Sequence, residues 1–364
     1  PQGVGHRIET NAYPCGLALA ATWNEKLAYE YGQSLGRDCR ARGIHIILGP
    51  AVNIHRAPMC GRNFEYMGED PYLTARTTVG YIKGVQSQKV MATVKHFLAN
   101  NSDYDRARIS NDIDERTAHE IYFPAFKAAV QEAEVGAVMT SYNLVNGIYT
   151  NENPWLLKDV LRKTWGFNGM VVSDWSAAQY SIPTCNAGMD LEMPGAEKNK
   201  PQEIAYYLRT GYVTMDTINE RIRHILRVII GFGFLDAQQQ DKNIPLDNPA
   251  SVETALKVAN EAIILLKNEK NILPVNPKKY KKIAVVGKNA NGYVCGGGSG
   301  SVNPFSYVSA FEGIRKAAEK YGIKAEYVDE YDCFDPIIFT DGSLKQRGFR
   351  ACYYNNMNLE GSPV

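Results

Sequence analysis

The chain has 364 residues, 45% hydrophobic and 22% charged, which is typical of globular proteins and long enough for two domain cores. Lysine and arginine total 40 against 39 for aspartate and glutamate, so the net charge of +1 gives no field that would attract nucleic acid, acidic polymers or membrane surfaces. No apolar run approaches the roughly 20 residues of a membrane-spanning helix. We therefore expect neither nucleic-acid nor membrane partners.

Seven cysteines are scattered along the chain, at positions 15, 39, 60, 185, 295, 333 and 352. Their number is odd, and no two have the CxxC spacing of a redox or metal motif. We predict that they are reduced, which favours a reducing compartment such as the cytoplasm. The chain begins with Pro1 rather than methionine, which indicates processing or missing upstream residues.

Helix and strand patterns alternate over the first two thirds of the chain. Residues 22–25, Thr-Trp-Asn-Glu, have the pattern of a capping box, and the helix after them should close at Gly43. The predicted strands are 44–48, 91–94, 137–140, 169–172 and 187–192, and the predicted helices are 74–88, one from 114 interrupted at Pro124, one from 153, 201–210 and 216–230. Apolar strands between helices indicate a parallel sheet covered on both faces, which an open doubly-wound sheet and a barrel satisfy equally.

A polar linker is predicted over residues 236–250, which ends a first domain of residues 1–235. The elements predicted after it are a helix over 252–268, a strand over 283–287, a glycine-rich loop over 296–301, a helix over 309–320 and a strand over 325–328. This pattern is typical of the first part of a second α/β domain, which we assign to residues 251–335. Residues 348–364 change towards aromatic β-strand sequence.

Polar side chains follow the carboxyl ends of successive predicted strands: Lys95 and His96, Tyr142 and Asn143, Asp174 and Trp175, and Glu192. Active sites of α/β barrels lie at that edge, so this distribution favours a barrel. Taken alone, Asp174 fits a helix N-cap better than a catalytic group. As a catalytic carboxylate it would be held rigidly, and the aromatic residue after it could stack on a sugar face.

Lys95 and His96 could act together only where their strand ends or bends, because neighbours in a strand point to opposite faces. There both could donate hydrogen bonds to sugar hydroxyls and stabilise a negative charge on Asp174. The alternative is a solvated lysine beside a hydrogen-bonded core histidine. Arg62 could grip vicinal hydroxyls or simply pin its loop to acidic neighbours. Residues 69–71, Glu-Asp-Pro, are predicted to form a turn and a helix start.

The sequence predicts no metal site and no cofactor. It contains no HExxH motif and no histidine and carboxylate set at metal-ligand spacing. The loop Gly296-Gly297-Gly298-Ser299-Gly300 follows a strand, as phosphate-binding loops do. It fits neither the GxxxxGK[ST] nor the GxGxxG spacing, so a nucleotide site is weakly supported.

Together these segments resemble glycoside hydrolase family 3 from Pro1 to about residue 330. The matching segments are 53–58, 61–65, 68–71, 95–97, 114–117, 139–143, 173–175, 190–195 and 296–300. The resemblance implies a (β/α)8 TIM-like barrel followed by an α/β sandwich domain. Residues 336–364 resemble, less specifically, the beginning of a protective-antigen-type β-sandwich inserted into the second domain.

The resemblance also implies roles for individual residues. Asp174 matches the family's nucleophile, which makes the helix-cap alternative the weaker one. The substrate-binding residues that it implies are Arg62, Lys95, His96, Met139, Tyr142, Trp175 and Ser299. Two family residues have no match in the chain: an aspartate is expected upstream of Pro1, and the acid/base glutamate is expected beyond Val364.

The function implied is that of a retaining, exo-acting β-glycosidase working through a covalent glycosyl-enzyme on Asp174. It would release non-reducing terminal β-D-glucose, or also β-D-xylose, from β-linked oligosaccharides or aryl and alkyl β-glycosides, without a cofactor. The alternative from another class is a non-catalytic carbohydrate-binding protein on the same scaffold. A homodimer is compatible with the sequence, which indicates no particular oligomeric state.

Overall fold

The structure is a computed structural model and describes residues 2–5, 8–195, 197–329, 354–358 and 360–362. Its contacts divide the chain into two compact units. The first comprises Pro1–Ile264 with Cys295–Ser306, and the second comprises Leu265–Val294 with Tyr307–Val364. The β-sandwich start expected over 336–364 lies outside the described residues, apart from the two short segments near the end.

The first unit alternates helices and strands. Its α-helices are Gly16–Ala21, Glu25–Ala41, Pro71–Gln86, Glu115–Thr117, Pro124–Gln131, Ser181–Ala187, Pro201–Thr210, Met215–Gly231 and Pro249–Ala262, with π-type helices at Ala118–Tyr122 and Trp155–Thr164. Its strands are Glu9–Thr10, Ile46–Ile47, Met91–Phe97, Ser110–Asn111, Ala137–Thr140, Leu144–Val145, Ile148–Tyr149, Met170–Val172 and Asn303–Pro304. Short 3-10 turns lie at Asn63–Glu65, Thr150–Glu152 and Gly298–Gly300.

A parallel sheet forms the centre of this unit. Its strands lie side by side in chain order: Ile46–Ile47, Met91–Phe97, Ala137–Thr140 and Met170–Val172, with Leu191 adding a parallel bridge to Val172. An open doubly-wound sheet reverses its strand order at a switch point, whereas the strands of a barrel follow one another around its axis. The observed order therefore agrees with a barrel.

Apolar side chains cover both faces of the sheet. Val138 and Val171 point to one face and join the large core formed with the surrounding helices. Their strand neighbours Met139 and Met170 point to the other face, because side chains alternate along a strand, and pack there with Val228 of helix Met215–Gly231. Full burial of such a side chain contributes roughly 1.5 to 3 kcal/mol to folding.

Most predicted elements are present, but several of their ends differ. Asn24, rather than Thr22, caps the helix Glu25–Ala41, because its side chain accepts the amide hydrogen of Leu27 at 3.0 Å. The strand predicted over 44–48 is confined to Ile46–Ile47. The helix predicted over 252–268 begins at Pro249, directly after its cap Asn248, and ends at Ala262.

The strand predicted over 187–192 is wrong in extent. Residues Ser181–Ala187 form a helix that ends at Gly188, whose φ of 101° is the left-handed conformation that glycine adopts at helix ends. Leu191 alone pairs with the sheet, as a bridge. Glu192 still directly follows a residue of the sheet, because Leu191 forms a parallel bridge with Val172.

The helix Pro249–Ala262 packs within the first unit. Ser251 donates a hydrogen bond of 2.7 Å to Asp38, which is buried in the helix Glu25–Ala41. From the sequence this helix is expected in the second domain, and the domain boundaries at residues 235 and 251 remain predictions.

The second unit is a small α/β arrangement. Strands Lys282–Val286 and Lys324–Val328 pair in parallel, and the helix Ala310–Glu319 connects them in the chain. The ring of Phe311 packs 5.6 Å from that of Tyr327, joining the helix to a strand. Short 3-10 turns lie at Glu269–Asn271 and Lys288–Asn291. Across the described parts of both units, no helix is long and apolar enough to cross a membrane.

Candidate active site

Asp174 lies at the carboxyl end of the parallel sheet, two residues after the strand Met170–Val172. Only 8% of it is exposed. Its Oδ1 accepts the amide hydrogen of Trp175 at 2.6 Å, whereas Oδ2 has no hydrogen-bond partner among the described residues. The next helix begins at Ser181 and has Tyr180 at its N-cap, so Asp174 caps no helix. The helix-cap alternative is therefore excluded.

Arg62 and His96 approach the open oxygen of Asp174. Nε2 of His96 lies 3.4 Å and Nη1 of Arg62 lies 3.9 Å from Oδ2. Arg62 also donates a hydrogen bond of 2.8 Å to Nε2 of His96, and since a guanidinium can only donate, this nitrogen must carry the lone pair. Nδ1 then bears the hydrogen and faces Oδ1 of Asn53 at 3.3 Å. His96 consequently offers no donor to Oδ2.

His96 is a buried, neutral imidazole. Burial lowers its pKa well below the usual range, and the positive charges of Arg62, Lys95 and Arg106 lower this pKa further. Asn53 fixes its position by exchanging hydrogen bonds with its backbone carbonyl and amide, at 2.8 and 2.9 Å. The ring therefore adds no charge to the cluster.

Glu65 joins Arg62 and Lys95 into one ionic group. It accepts a hydrogen bond from Nε of Arg62, and its other oxygen lies 3.8 Å from Nζ of Lys95. Burial alone would raise the pKa of Glu65, but the charges of Lys95 and Arg62 outweigh it and hold this pKa below its ordinary value. For Lys95, burial dominates and lowers the pKa despite the carboxylates of Glu65 and Asp174. Two cations thus face two carboxylates, which limits the free energy that burial of each charge costs.

The end of the strand Met91–Phe97 explains why Lys95 and His96 contact the same cluster. The pairing register with the next strand shifts between Val94 and Phe97. Strict alternation of side chains is interrupted there, as at a β-bulge. This is the bend that a joint role of the two residues requires.

Two aromatic residues adjoin Asp174. Burial, together with the charge of Asp174, raises the pKa of Tyr142 to about 12, so its phenol remains protonated and can donate. The guanidinium of Arg106 lies 4.3 Å from the centre of the Tyr142 ring and also pairs with Asp103 at 3.2 Å. Trp175 is 56% exposed, so its indole face is open to a ligand.

Met139 and Ser299 occupy different surroundings from the other predicted residues. Met139 is 2% exposed and belongs to the apolar layer on one face of the sheet. Ser299 lies in the exposed turn Gly298–Gly300. Neither hydrogen-bonds to Asp174 in the part of the chain that the structure describes. Their roles in substrate binding remain predictions.

Three residues of the cluster received no role from the sequence: Asn53, Glu65 and Arg106. Glu65 follows Arg62 by three positions, a spacing at which opposite charges often pair, so this contact had a sequence signal. Asn53 lies in a recognised segment but resembles any loop asparagine. Arg106 gives no signal, because its contact with Tyr142 joins residues far apart in the chain.

Glu192 organises the loop beside the candidate nucleophile. Its carboxylate accepts the amide hydrogens of Lys198 and Asn199 at 2.8 Å each, and the Asn199 side chain at 2.9 Å. Within the same loop, the carbonyl of Met193 accepts the amide hydrogen of Ser176 at 2.8 Å. Glu192 thus stabilises the loop, and the bond from Ser176 to Met193 joins this loop to the turn that follows Asp174.

The described residues contain no group of three side chains arranged to hold a metal ion. Cysteines 15, 39, 60, 185 and 295 are free thiols, while Cys333 and Cys352 lie outside the described residues. A cavity of about 770 Å³ opens at the opposite, amino end of the strands, beside Gly136 and Gly169. Its titratable lining residues, Glu134 and Arg227, are both exposed, so it lacks the buried charges that distinguish the site around Asp174.

Sequence profiles of one family match both parts of the chain. The Glycosyl hydrolase family 3 N terminal domain matches residues 1–228, and the Glycosyl hydrolase family 3 C-terminal domain matches residues 263–358. A "Beta-glucosidase" of Rhizobium radiobacter is 43% identical over 311 residues, which are 85% of this chain and 38% of that protein. "Thermostable beta-glucosidase B" of Acetivibrio thermocellus is 37% identical over 337 residues, 90% of this chain and 44% of that protein. The chain thus spans less than half the length of these curated relatives.

Solved structures match at similar levels. Beta-glucosidase 3B from Thermotoga neapolitana in complex with alpha-D-glucose superposes with a TM-score of 0.80 at 36% identity, covering 87% of this chain and 44% of that one. The GH3 beta-glucosidase of Bifidobacterium adolescentis gives a TM-score of 0.81 at 34% identity, covering 90% and 47%. These matches confirm the predicted fold class, a TIM-like barrel followed by an α/β sandwich.

Proposed function

The chain belongs to glycosyl hydrolase family 3, and on that basis we propose that the full protein is a retaining β-glucosidase. It would release terminal β-D-glucose from β-linked oligosaccharides or from aryl and alkyl β-glucosides. Two observations support this substrate: the curated relatives are named β-glucosidases, and one solved relative holds glucose. Because the chain spans less than half of those relatives, the activity is assigned to the full protein.

The open Oδ2 of Asp174 carries the proposal. Under ordinary hydrogen-bond geometry Oδ2 has no partner among the described residues, so a lone pair on this oxygen is available to attack a bound sugar. In the first step Oδ2 forms a bond to the anomeric carbon while the bond from that carbon to the leaving oxygen breaks. A general acid protonates the leaving oxygen in the same step. Water then displaces Asp174, which restores the carboxylate and the original anomeric configuration.

The surrounding residues have the chemistry of a sugar site. Arg62 and Lys95 supply charged donors for sugar hydroxyls, and the protonated phenol of Tyr142 supplies a neutral donor beside Asp174. The exposed indole of Trp175 offers a flat apolar surface on which a sugar ring or aglycone can stack. Met139 would line the pocket by packing, and Ser299 would contact the substrate from its loop.

The proposal is tested by incubating the full-length protein with an aryl β-glucoside and following the anomers by NMR. We expect release of the phenol with β-D-glucose as the first sugar product, ahead of mutarotation. First formation of α-D-glucose would contradict double displacement. Sugar binding without release would instead indicate a carbohydrate-binding protein. The matched aryl β-xyloside, assayed in parallel, measures whether xylose is also accepted.

A further inference from the structure

Phe64 lies between two members of the ionic cluster. It is the middle residue of the 3-10 turn Asn63–Glu65, and this turn begins directly after Arg62. Its ring is partly buried and contacts a segment more than 230 positions further along the chain, the loop Cys295–Ser306. The turn and its N-cap residue therefore carry two charged residues of the site and an aromatic ring that touches the loop of Ser299.

The contact explains two of the four glycines in this loop, Gly296 and Gly300. An added Cβ on Gly296 would lie 1.9 Å from Cε2 of Phe64, and one on Gly300 would lie 2.9 Å from Cζ, both closer than real Cβ atoms come. The ring thus fills the space of two absent side chains, on either side of Ser299. The glycines are required by close approach of a phenyl group, without any phosphate.

Two further contacts fasten the loop near its ends. The amide of Gly296 donates a hydrogen bond of 3.0 Å to the side chain of Gln2. The strands Glu9–Thr10 and Asn303–Pro304 pair in parallel, and the amide of Phe305 donates to the carbonyl of Thr10 at 3.2 Å. Ser299 lies between these two attachments, where Phe64 is the packing partner.

We propose that Phe64 is a positioning residue that sets the place of Ser299 relative to the sugar site by packing against Gly296 and Gly300. The inference rests on the proposed function, since Ser299 matters only if it contacts a substrate. Phe64 would affect substrate binding indirectly, by packing against the loop, and would not itself contact the substrate. Loss of the ring should therefore weaken substrate binding while leaving the chemical step, which depends on Asp174, nearly unchanged.

The test is a double-mutant cycle on the full-length protein with an aryl β-glucoside. Phe64→Ala should raise KM about 5- to 10-fold, the value of one hydrogen bond to a substrate, with kcat changed less than about 3-fold. Phe64→Tyr keeps the ring and should keep KM. In a Ser299→Ala background, Phe64→Ala should add little, because the contact it positions is already lost. The inference would be overturned if Phe64→Ala raised KM in the Ser299→Ala background as much as in the wild type, or if Phe64→Ala alone left KM unchanged. Phe234→Ala, which removes a partly buried ring elsewhere, should leave KM unchanged.

A suppressor test checks the packing directly. Gly296→Ala should raise KM as Phe64→Ala does, because its Cβ would displace the ring. Combined with Phe64→Ala, the alanine at 296 should have no further effect, since the colliding ring is gone. A Gly296→Ala defect that persists without the ring would contradict the steric account.

Hydrogen exchange separates failure of this inference from failure of the proposed function. Phe64→Ala should raise deuterium uptake in peptides covering 295–306, where the amides of Gly296 and Phe305 are hydrogen-bonded, and leave the helix Met215–Gly231 unchanged. The exchange measurement does not depend on enzymatic activity. If wild-type protein cleaves no β-glycoside but the loop loosens as expected, the positioning contact stands and the substrate assignment falls. Unchanged uptake would refute the positioning role in either case.

Discussion

Asp174 keeps one oxygen without a donor although Arg62 and His96 both lie within 4 Å of it. Nη1 of Arg62 is 3.9 Å from Oδ2, too far for a hydrogen bond, while Nε and Nη2 of Arg62 bond to Glu65 and to the neutral ring of His96. A buried polar atom without a partner costs about 1 to 3 kcal/mol. The cluster therefore buries the carboxylate while leaving Oδ2 without a hydrogen bond of ordinary length, as the proposed role of nucleophile requires.

Tyr142→Phe should lower kcat/KM about 100-fold, the typical effect of removing one preorganised donor beside a reacting group. Since the pKa of Tyr142 is about 12, its phenol is protonated throughout the working range, and the variant should keep the alkaline limb of the wild-type pH profile. Steady-state kinetics across pH on the full-length protein measure both quantities. Tyr212→Phe, on a 60% exposed side chain, is the matched control. A wild-type rate in Tyr142→Phe would remove the phenol from the mechanism.

Glu65→Gln should lower the free energy of unfolding at about pH 7 by about 3 kcal/mol, as expected when one partner of a buried ionic group is removed. The folded-state pKa of Glu65 lies below its ordinary value of 4.5, so its charge stabilises the fold fully above that value and progressively less as the pH falls through the lower pKa. The difference between wild type and variant should therefore shrink in acid. Denaturant unfolding at about pH 7 and about pH 3.5 measures it.

Glu69→Gln is the control for that comparison, because Glu69 is exposed in the same loop region. It should change stability by less than about 0.5 kcal/mol at either pH. A Glu65→Gln deficit that stays constant or grows in acid would show that the ionic group does not stabilise the fold through the charge of Glu65.

At the scale of elements, the carboxylate of Glu192 accepts three hydrogen bonds from Lys198 and Asn199 and so closes the loop after Leu191. Glu192→Gln would replace one of its two acceptor oxygens with a donor, so at least one amide of Lys198 or Asn199 should lose its partner. We expect faster hydrogen exchange in peptides covering 193–199, with a reduced kcat/KM because this loop supports the turn beside Asp174. Glu220→Gln, on an exposed helix position, should change neither. Unaltered exchange in Glu192→Gln would contradict the role given to this carboxylate.

Elements with strong local patterns were predictable. Strand Ala137–Thr140 agrees with its predicted range, and helix Pro201–Thr210 does too, because a buried apolar run or an amphipathic period is decided by neighbouring residues. The strand expected over 187–192 failed because Gly188 ends a helix there, and pairing of Leu191 depends on a distant strand.

The residues of the candidate site also differ in how far their positions could be predicted from local sequence. Side chains that follow strand ends, such as His96 and Asp174, could be placed from the sequence because parallel strands bring their carboxyl ends to one edge. Contacts of Arg106 with Tyr142 and of Phe64 with Gly296 could not, because loops of different chain regions bring them together. Local pattern carries no information on such pairs.

For the whole molecule, strand order is the feature that connects fold to function. Four parallel strands lie side by side in chain order; His96 lies at the end of the second strand, Asp174 follows the fourth, and Arg62 comes from the loop between the first and second. Barrel sites are assembled in this way, each strand supplying one part of the chemistry. The proposed mechanism requires that the full protein form a covalent sugar ester on Asp174.

Trapping that ester tests the claim most directly. A 2-deoxy-2-fluoro β-glucoside with a good leaving group slows breakdown of the glycosyl-enzyme, so the labelled peptide can be identified by mass spectrometry after digestion of the full-length protein. Asp174→Asn should take up no label and lose roughly 10⁴-fold or more in turnover, whereas Asp159→Asn, on an exposed helix position, should behave as wild type. We predict the fluoroglucosyl group on Asp174, in the peptide containing Ser173 and Trp175. A label on any other carboxylate, or near-wild-type turnover by Asp174→Asn, would contradict the account.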